Sequence, residues 1–313
     1  MLSASRAFLS SPSTGTTLVG SAYIVYMTVR ERCSVTTTST GELVVVSGAS
    51  TGIGAATARE LASRGYHVLA GVRRNEDADA IRAEGIEPVM LDITIGKHVE
   101  ALIDRIALDP QGRLLRAVIN NAGIEINAPI EVLPLDTWRE QFEVNLFGHI
   151  RVIQALLPAL RQSRGRVVNI SSVGAVATLP IYGAYAGSKA AFESASDALR
   201  REVAPQGIQV VIIQSGGVKT PMAAKSGPLS LKLAQGMSKE HTRLYAALIS
   251  STVSFQSSFL QRAMTADQAA KKITKIVTTK RPRTRYGLGP DAAFTLPMAR
   301  FLPARLMDRV VPG

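Results

Sequence analysis

Short, continuously apolar runs recur along the chain between stretches of helical spacing. Leu43–Val46 is the first; it gives way to a glycine-rich turn and then to a helical pattern over Ala56–Arg64 that stops at Gly65. Tyr66–Val72 is a second run, Asp77–Glu84 reads as helix, Pro88–Leu91 as strand, Val99–Ala107 as helix and Ala117–Ile119 as a buried strand. From Asp136 to Leu160, apolar Phe142, Leu146, Ile150, Ile153 and Leu157 fall at the spacing of one helix face, predicting one long amphipathic helix. Strand Val167–Ile170, helix Ala184–Val203 and strand Gln209–Ile213 continue the series. Apolar runs alternating with helices at this rhythm predict a single-domain α/β fold, a Rossmann-type doubly wound parallel sheet with helices on both faces.

The two ends differ from this middle. Residues 1–41 are rich in Ser and Thr, carry Arg6 and Arg30, and have no acidic side chain before Glu31. Two readings stay open: a disordered extension on a cytoplasmic protein, or a targeting-like leader that would send it to mitochondria. The apolar stretch Leu18–Val29, broken by Gly20 and Ser21, is shorter than the about 20 residues a membrane span needs. The composition, 46% hydrophobic and 19% charged, is that of a globular chain. Cys33 is alone, so no internal disulfide forms, and His67, His98, His149 and His241 are scattered without ligand spacing, so no metal site is expected. A net charge of +12 raises the question of nucleic acid, but no basic run is interleaved with aromatics, which make up only 5% of residues. No nucleic-acid partner is expected.

The turn after the first strand reads Gly48-Ala49-Ser50-Thr51-Gly52-Ile53-Gly54. Glycines at a strand-to-helix turn let the backbone approach a pyrophosphate, which rests where free N–H groups and the helix dipole favour an anion. The spacing is GxxxGxG rather than GxGxxG. At the end of the second strand, a carboxylate would favour the ribose hydroxyl of NAD and an arginine the extra phosphate of NADP. Here apolar Val72 is followed by Arg73 and Arg74. NADP(H) is therefore expected to be preferred, with NAD(H) as the second option, and Arg73 and Arg74 as the phosphate partners.

Tyr185 and Lys189 stand four residues apart, on neighbouring turns of one helix face. A lysine charge nearby should lower the phenol's pKa from about 10 and let the pair pass a proton to or from an alcohol or ketone oxygen. Ser171 and Ser172 end the strand before this helix, where open α/β sheets bind ligands. Adjacent strand residues point oppositely, so only one of the two can reach the reacting oxygen.

With the Gly48–Gly54 turn, Asn120-Asn121-Ala122-Gly123, a helical Asn145, Ser172 and Tyr185/Lys189 in this order, the chain resembles the short-chain dehydrogenase/reductase family over about residues 43–290. The resemblance implies a catalytic tetrad. Asn145 would prop a water and proton path, Ser172 orient substrate, Tyr185 act as acid and base, and Lys189 also hold the nicotinamide ribose. It further implies that Asp92 and Ile93 meet the adenine, that Asn121, Ala122 and Gly123 line the adenosine, and that Val218 and Thr220 contact the carboxamide. Tyr182 is excluded as the tetrad tyrosine, because Ala186 stands four residues on. One departure is Ser215-Gly216-Gly217, where the family usually has Pro-Gly; without the proline the loop is expected to gain freedom.

Beyond the sheet, residues 219–264 carry Met222, Leu229, Leu231, Leu233, Met237, Leu244, Leu248, Phe255 and Phe259, as an apolar lid over a lipophilic substrate would. Residues 291–313 form a basic amphipathic segment in which Arg300, Arg305 and Arg309 alternate with Phe301, Leu302, Leu306 and Met307. It would seal the pocket, meet a second subunit, or rest on a membrane surface. Within the family the chain looks similar to hydroxysteroid and retinol dehydrogenases. The implied activity is hydride transfer between NADP(H) and a secondary alcohol or ketone, steroid- or retinoid-like, in a homodimer or homotetramer. The alternative on the same fold is a non-catalytic sensor of NADP(H).

Overall fold

The computed structural model describes residues 41–310; the expectations for residues 1–40, and with them the cellular location, lie outside the described residues. Seven parallel strands make the main sheet: β1 (Leu43–Val46), β2 (His67–Val72), β3 (Ile86–Met90), β4 (Leu115–Asn120), β5 (Arg166–Ser172), β6 (Gln209–Ser215) and, later in the chain, β9 (Arg285–Leu288). Their order is β3-β2-β1-β4-β5-β6-β9, so the direction of winding reverses between β1 and β4. A two-stranded parallel pair, β7 (Val218–Lys219) with β8 (Met264–Thr265), stands apart.

All four residues of β1 are fully buried, and their alternation splits them between two cores. Val44 and Val46 face α1 (Gly52–Ala62) and α9 (Ala266–Thr278) through Ala58, Leu61, Ile273 and Val277. Leu43 and Val45 face α3 (Gly96–Ala107), α5 (His149–Ser163) and α6 (Gly183–Val203) through Leu102, Leu156 and Phe192. A strand apolar on both sides can be stable only between two helical layers, and here both layers are present. The doubly wound, Rossmann-type sheet expected from the sequence is the fold of the chain. A short α2 (Asn75–Ile81) links β2 to β3.

The helix expected over 136–160 is interrupted. It consists of α4 (Leu135–Phe142), one π-helical segment (Glu143–Gly148) and α5. The tight point is Gly148, where a Cβ would lie 2.7 Å from Ile93 Cγ1. Such single-turn widenings re-aim one side chain, and the residue carried here is Asn145.

Past β6 the expected lid is two helices, α7 (Pro221–Gln235) and α8 (Lys239–Gln261). The C-terminal segment is likewise divided, into α10 (Pro290–Phe301) and α11 (Ala304–Val310), where the sequence read as one. Leu302 takes ψ 135° before Pro303, an extended conformation that the proline ring imposes on its predecessor. No helix among the described residues is long and apolar enough to cross a membrane.

Candidate active site

The site begins where β1 ends. Gly48 has φ +63°, and a Cβ on it would lie 2.8 Å from Ala122 Cα. A Cβ on Gly54 would lie 2.2 Å from the Gly48 carbonyl oxygen. Glycine is required at both positions, the first for backbone conformation and contact, the second for contact alone. Thr51 precedes α1 in extended conformation without capping it, and no acidic residue occupies the first turn. The free N–H groups and the positive end of the helix dipole therefore remain available to an anion.

They open on a cleft of about 440 Å³ lined by Gly48, Ser50, Thr51, Gly52, Ile53, Arg73, Asp92, Ile93, Asn121, Ala122, Gly123 and Thr220. Asn121 donates from Nδ2 to the carbonyls of Ser47 and Gly48, at 3.0 and 3.1 Å, fixing the turn from below. Burial pushes the Asp92 carboxyl up, but the Thr94 hydroxyl and N–H, at 2.6 and 2.9 Å, outweigh it and hold the group below the usual carboxylate range. The cleft suits a dinucleotide: a tight turn that requires glycine at Gly48 and Gly54, an uncapped helix start, and the Arg73 guanidinium in the lining.

Gly54, Arg74, Tyr185, Lys189 and Val218, all expected at the cofactor, are not among the residues that line the cleft. Arg74 is held by Asp77 through two bonds of 2.8 Å and does not line the cleft, because a carboxylate three residues on in α2 outcompetes any group across open solvent. Val218 is buried in β7 against Met264 rather than on the cleft wall. Gly54 supports the cradle from behind.

Tyr185 and Lys189 lie on α6 and are both buried, 7% and 4% exposed. Lys189 donates to the Ile170 carbonyl at 3.0 Å, and its Nζ is 5.9 Å from the centre of the Tyr185 ring. The sequence leads one to expect that Lys189 lowers the phenol's pKa; in the structure the shift is upward. Burial raises it, the Glu125 carboxylate raises it further, and the Ser172 hydroxyl opposes both. Burial brings Lys189 itself down to about 8, against the pull of Glu125 and Glu193.

Of the two serines, Ser171 turns to Glu193 at 2.7 Å while Ser172 stands on the Tyr185 side. A Cβ on Gly174 would lie 3.4 Å from Ser172 Oγ and 4.0 Å from Tyr185 Cε1, so the two hydroxyl-bearing side chains flank one open position. Asn145, fully buried, accepts from Ile124 N–H at 3.0 Å and donates to Ile124 O and Ser188 Oγ at 2.9 and 3.0 Å. Around Tyr185 stands an apolar wall of Ile249 and Val253 from α8, Met237 from the connection between α7 and α8, and Ile181 and Leu179. Of these only Met237 stood out in the sequence.

The Ser215–Gly217 loop is not looser for lacking its proline. Gly216 N–H donates to Leu288 O at 2.8 Å and Gly217 N–H to Asp291 Oδ2 at 2.6 Å. A carboxylate at the start of α10 does from outside what a ring would do from within. Neither Asp291 nor Glu125 was singled out in the sequence; the one available signal was a carboxylate placed between Ile124 and Ile126.

This fold and this cleft define a class of nucleotide-dependent oxidoreductase. The chain belongs to the short chain dehydrogenase family, whose pattern its residues 42–229 match, and is an oxidoreductase acting on CH–OH groups. Among its relatives is the NADPH-dependent 3-dehydrocapnine reductase of Ornithobacterium rhinotracheale, 30% identical over 85% of this chain and 94% of the relative. Retinol dehydrogenase 5 of Mus musculus is 32% identical over 86% of this chain and 87% of its own. A short chain dehydrogenase from Burkholderia cenocepacia, solved with NADP, shares the fold at TM-score 0.68 and 23% identity, over 88% of this chain and 99% of that one.

Proposed function

We propose that the chain interconverts a lipophilic ketone and its secondary alcohol, with NADP(H) preferred over NAD(H). The observation that carries this reading is the meeting of cleft and polar cluster at Gly123. A Cβ there would lie 3.3 Å from Asn145 Oδ1 and 3.7 Å from Lys189 Nζ, while Gly123 itself lines the cleft. A bound nicotinamide supplies or accepts the hydride. Proton handling falls to the chain's own residues.

Tyr185 gives its phenolic proton to the carbonyl oxygen during reduction and takes it back in the reverse direction. Ser172 donates a hydrogen bond to the same oxygen as charge gathers on it. Lys189, which donates to the Ile170 carbonyl and whose Nζ stands 5.9 Å from the centre of the Tyr185 ring, would hold a ribose hydroxyl of the bound cofactor. Asn145 holds Ile124 and a water path behind it. The apolar wall around Tyr185, with Ile249 and Val253 from α8, suits a steroid- or retinoid-like body, and the retinol dehydrogenase relative is consistent with that. By family habit the working form is a homodimer or homotetramer. Contact with a membrane surface would use Phe294 and Phe301, 74% and 76% exposed in α10.

The cofactor choice rests on Arg73. It lines the cleft just past apolar Val72, and no carboxylate occupies that place. Losing a charge-assisted bond to phosphate weakens binding by about tenfold or more, so Arg73→Ala is expected to raise the Kd for NADPH by at least that, with under about twofold effect on NADH. Fluorescence titration of both nucleotides decides it. Tighter NADH than NADPH binding by the unaltered protein contradicts the preference.

A further inference from the structure

The lid helix α7 lines two cavities. At its start, Pro221 and Met222 stand in the wall of the dinucleotide cleft. At its end, Leu229, Lys232 and Leu233 stand in the wall of a second cavity, of about 460 Å³, completed by Val132 and Leu133 from the segment after β4 and by Met237. Met222 and Lys232 are separated along the helix by about 15 Å at the usual rise per residue.

The helix is pinned between these ends. Ser226, buried at its middle, donates to Glu125 Oε1 and accepts from Asn127 Nδ2 at 3.1 Å, which ties α7 to the segment after β4. The Thr220 hydroxyl accepts from Ala223 N–H at 3.2 Å and caps its start. The second cavity also abuts the surroundings of Tyr185. Met237 packs against the cluster that contains Tyr182 and Tyr185, and Leu133 packs with Ala184, the residue before Tyr185.

The chemistry of the second cavity is apolar with one exception. Lys232 is the single charged residue in its lining. It lies in the last turn of α7, is exposed, and has no ion-pair partner among the described residues. A lysine lays its methylene stem along apolar surface and keeps its ammonium in water. An aliphatic cavity edged by an uncompensated cation matches an amphiphile whose chain lies inside and whose anionic group stays at the rim.

We propose that this cavity receives the far end of the substrate, and that this end is an apolar chain closed by an anionic group at Lys232. The substrate class is then a fatty oxo or hydroxy acid rather than a neutral lipid. The inference deepens the oxidoreductase reading above and rests on it for the word substrate.

The test titrates the full chain, with NADPH present, by calorimetry with n-decanoate and n-decanol at pH 7 and low salt, where the acid is ionised and charges are little screened. Lys232→Gln is expected to weaken n-decanoate by about threefold or more and n-decanol by less than about 1.5-fold, the difference an exposed charge pair makes. Lys225→Gln, at an exposed position of the same helix outside the cavity wall, is expected to change neither. Leu233→Asn is expected to weaken both probes by about threefold or more. Positions 232 and 233 are exposed, so these variants are expected to fold. A lysine that only complements the end of its helix predicts no difference between the two probes. No binding of n-decanoate, equal losses for both probes in Lys232→Gln, the same loss in Lys225→Gln, or no loss in Leu233→Asn overturns the proposal. Turnover separates it from the reading it rests on. If neutral ketones consume NADPH and n-decanoate does not compete with them, the cavity is not the substrate's and the proposal falls. If no ketone, acid or neutral, is consumed while the selectivity for n-decanoate holds, the anion site stands and the ketone reading fails.

Discussion

A single carboxylate can replace a proline when it binds the backbone that the proline would have stiffened. Asp291 does this for Gly217, and the contact leaves no room at the neighbouring residue: a Cβ on Gly216 would lie 2.1 Å from Asp291 Oδ1 and 2.4 Å from its Cγ. Gly216→Ala is therefore expected to cost about 2 kcal/mol, because one group or the other must move. In an Asp291→Ala background the same change should cost markedly less, since the obstacle is gone. Denaturant unfolding of the four proteins of this cycle measures the coupling. Additive losses would mean that Asp291 is not what Gly216 accommodates. From the sequence alone this residue pair was out of reach, as the partners lie 75 positions apart and neither has a periodic neighbour that signals contact. Glu125 was hidden for the opposite reason: among apolar neighbours in a loop, one carboxylate looks like a solvated side chain.

Whole elements were easier to read, because hydrophobic period survives where individual contacts do not. The apolar runs at Leu43–Val46 and Gln209–Ile213 fall inside observed strands, and the turn at Gly48–Gly54 sits between strand and helix as its glycines require. What period cannot register is a helix that widens for one turn, since the apolar residues on either side keep nearly the same face. The 143–148 segment escaped for that reason; the break before Pro303 did not, because the proline itself marks it in the sequence. The helix that follows the widened turn carries His149, fully buried, which donates from Nε2 to Ala122 O at 2.8 Å and stacks on Phe192 of α6 at 4.8 Å. Burial, with Lys189 adding to it, brings its pKa down to about 3. In the unfolded chain the ring takes its proton near pH 6.5, so between those values the unfolded state binds more protons and stability falls as the pH falls. At pH 4.5 this amounts to about 2–3 kcal/mol relative to pH 7. His149→Gln, which keeps a donor for Ala122, should be less stable at neutral pH yet lose less on acidification. Urea midpoints at the two pH values compare them, and parallel losses in both proteins would dismiss the histidine as a source of acid sensitivity.

At the scale of the molecule, the order β3-β2-β1-β4-β5-β6-β9 puts the reversal of winding between β1 and β4, and the cleft opens outside the carboxyl ends of those strands. Gly123, in the lining of that cleft, has Asn145 Oδ1 and Lys189 Nζ as its side-chain neighbours, 3.3 and 3.7 Å from where its Cβ would stand. The final strand, β9, is tied to α6 through Arg285, which pairs with Asp197 at 2.9 and 3.0 Å, so the helix bearing the tyrosine is braced by the last element of the sheet. Direct support for the account comes from the tyrosine itself. In Tyr185→Phe the ring remains and only the proton is lost. With a ketone that the unaltered protein reduces, NADPH consumption by this variant is expected to fall by about 10²–10⁴-fold while the Kd for NADPH stays within about twofold. Reduction at the unaltered rate would contradict the account.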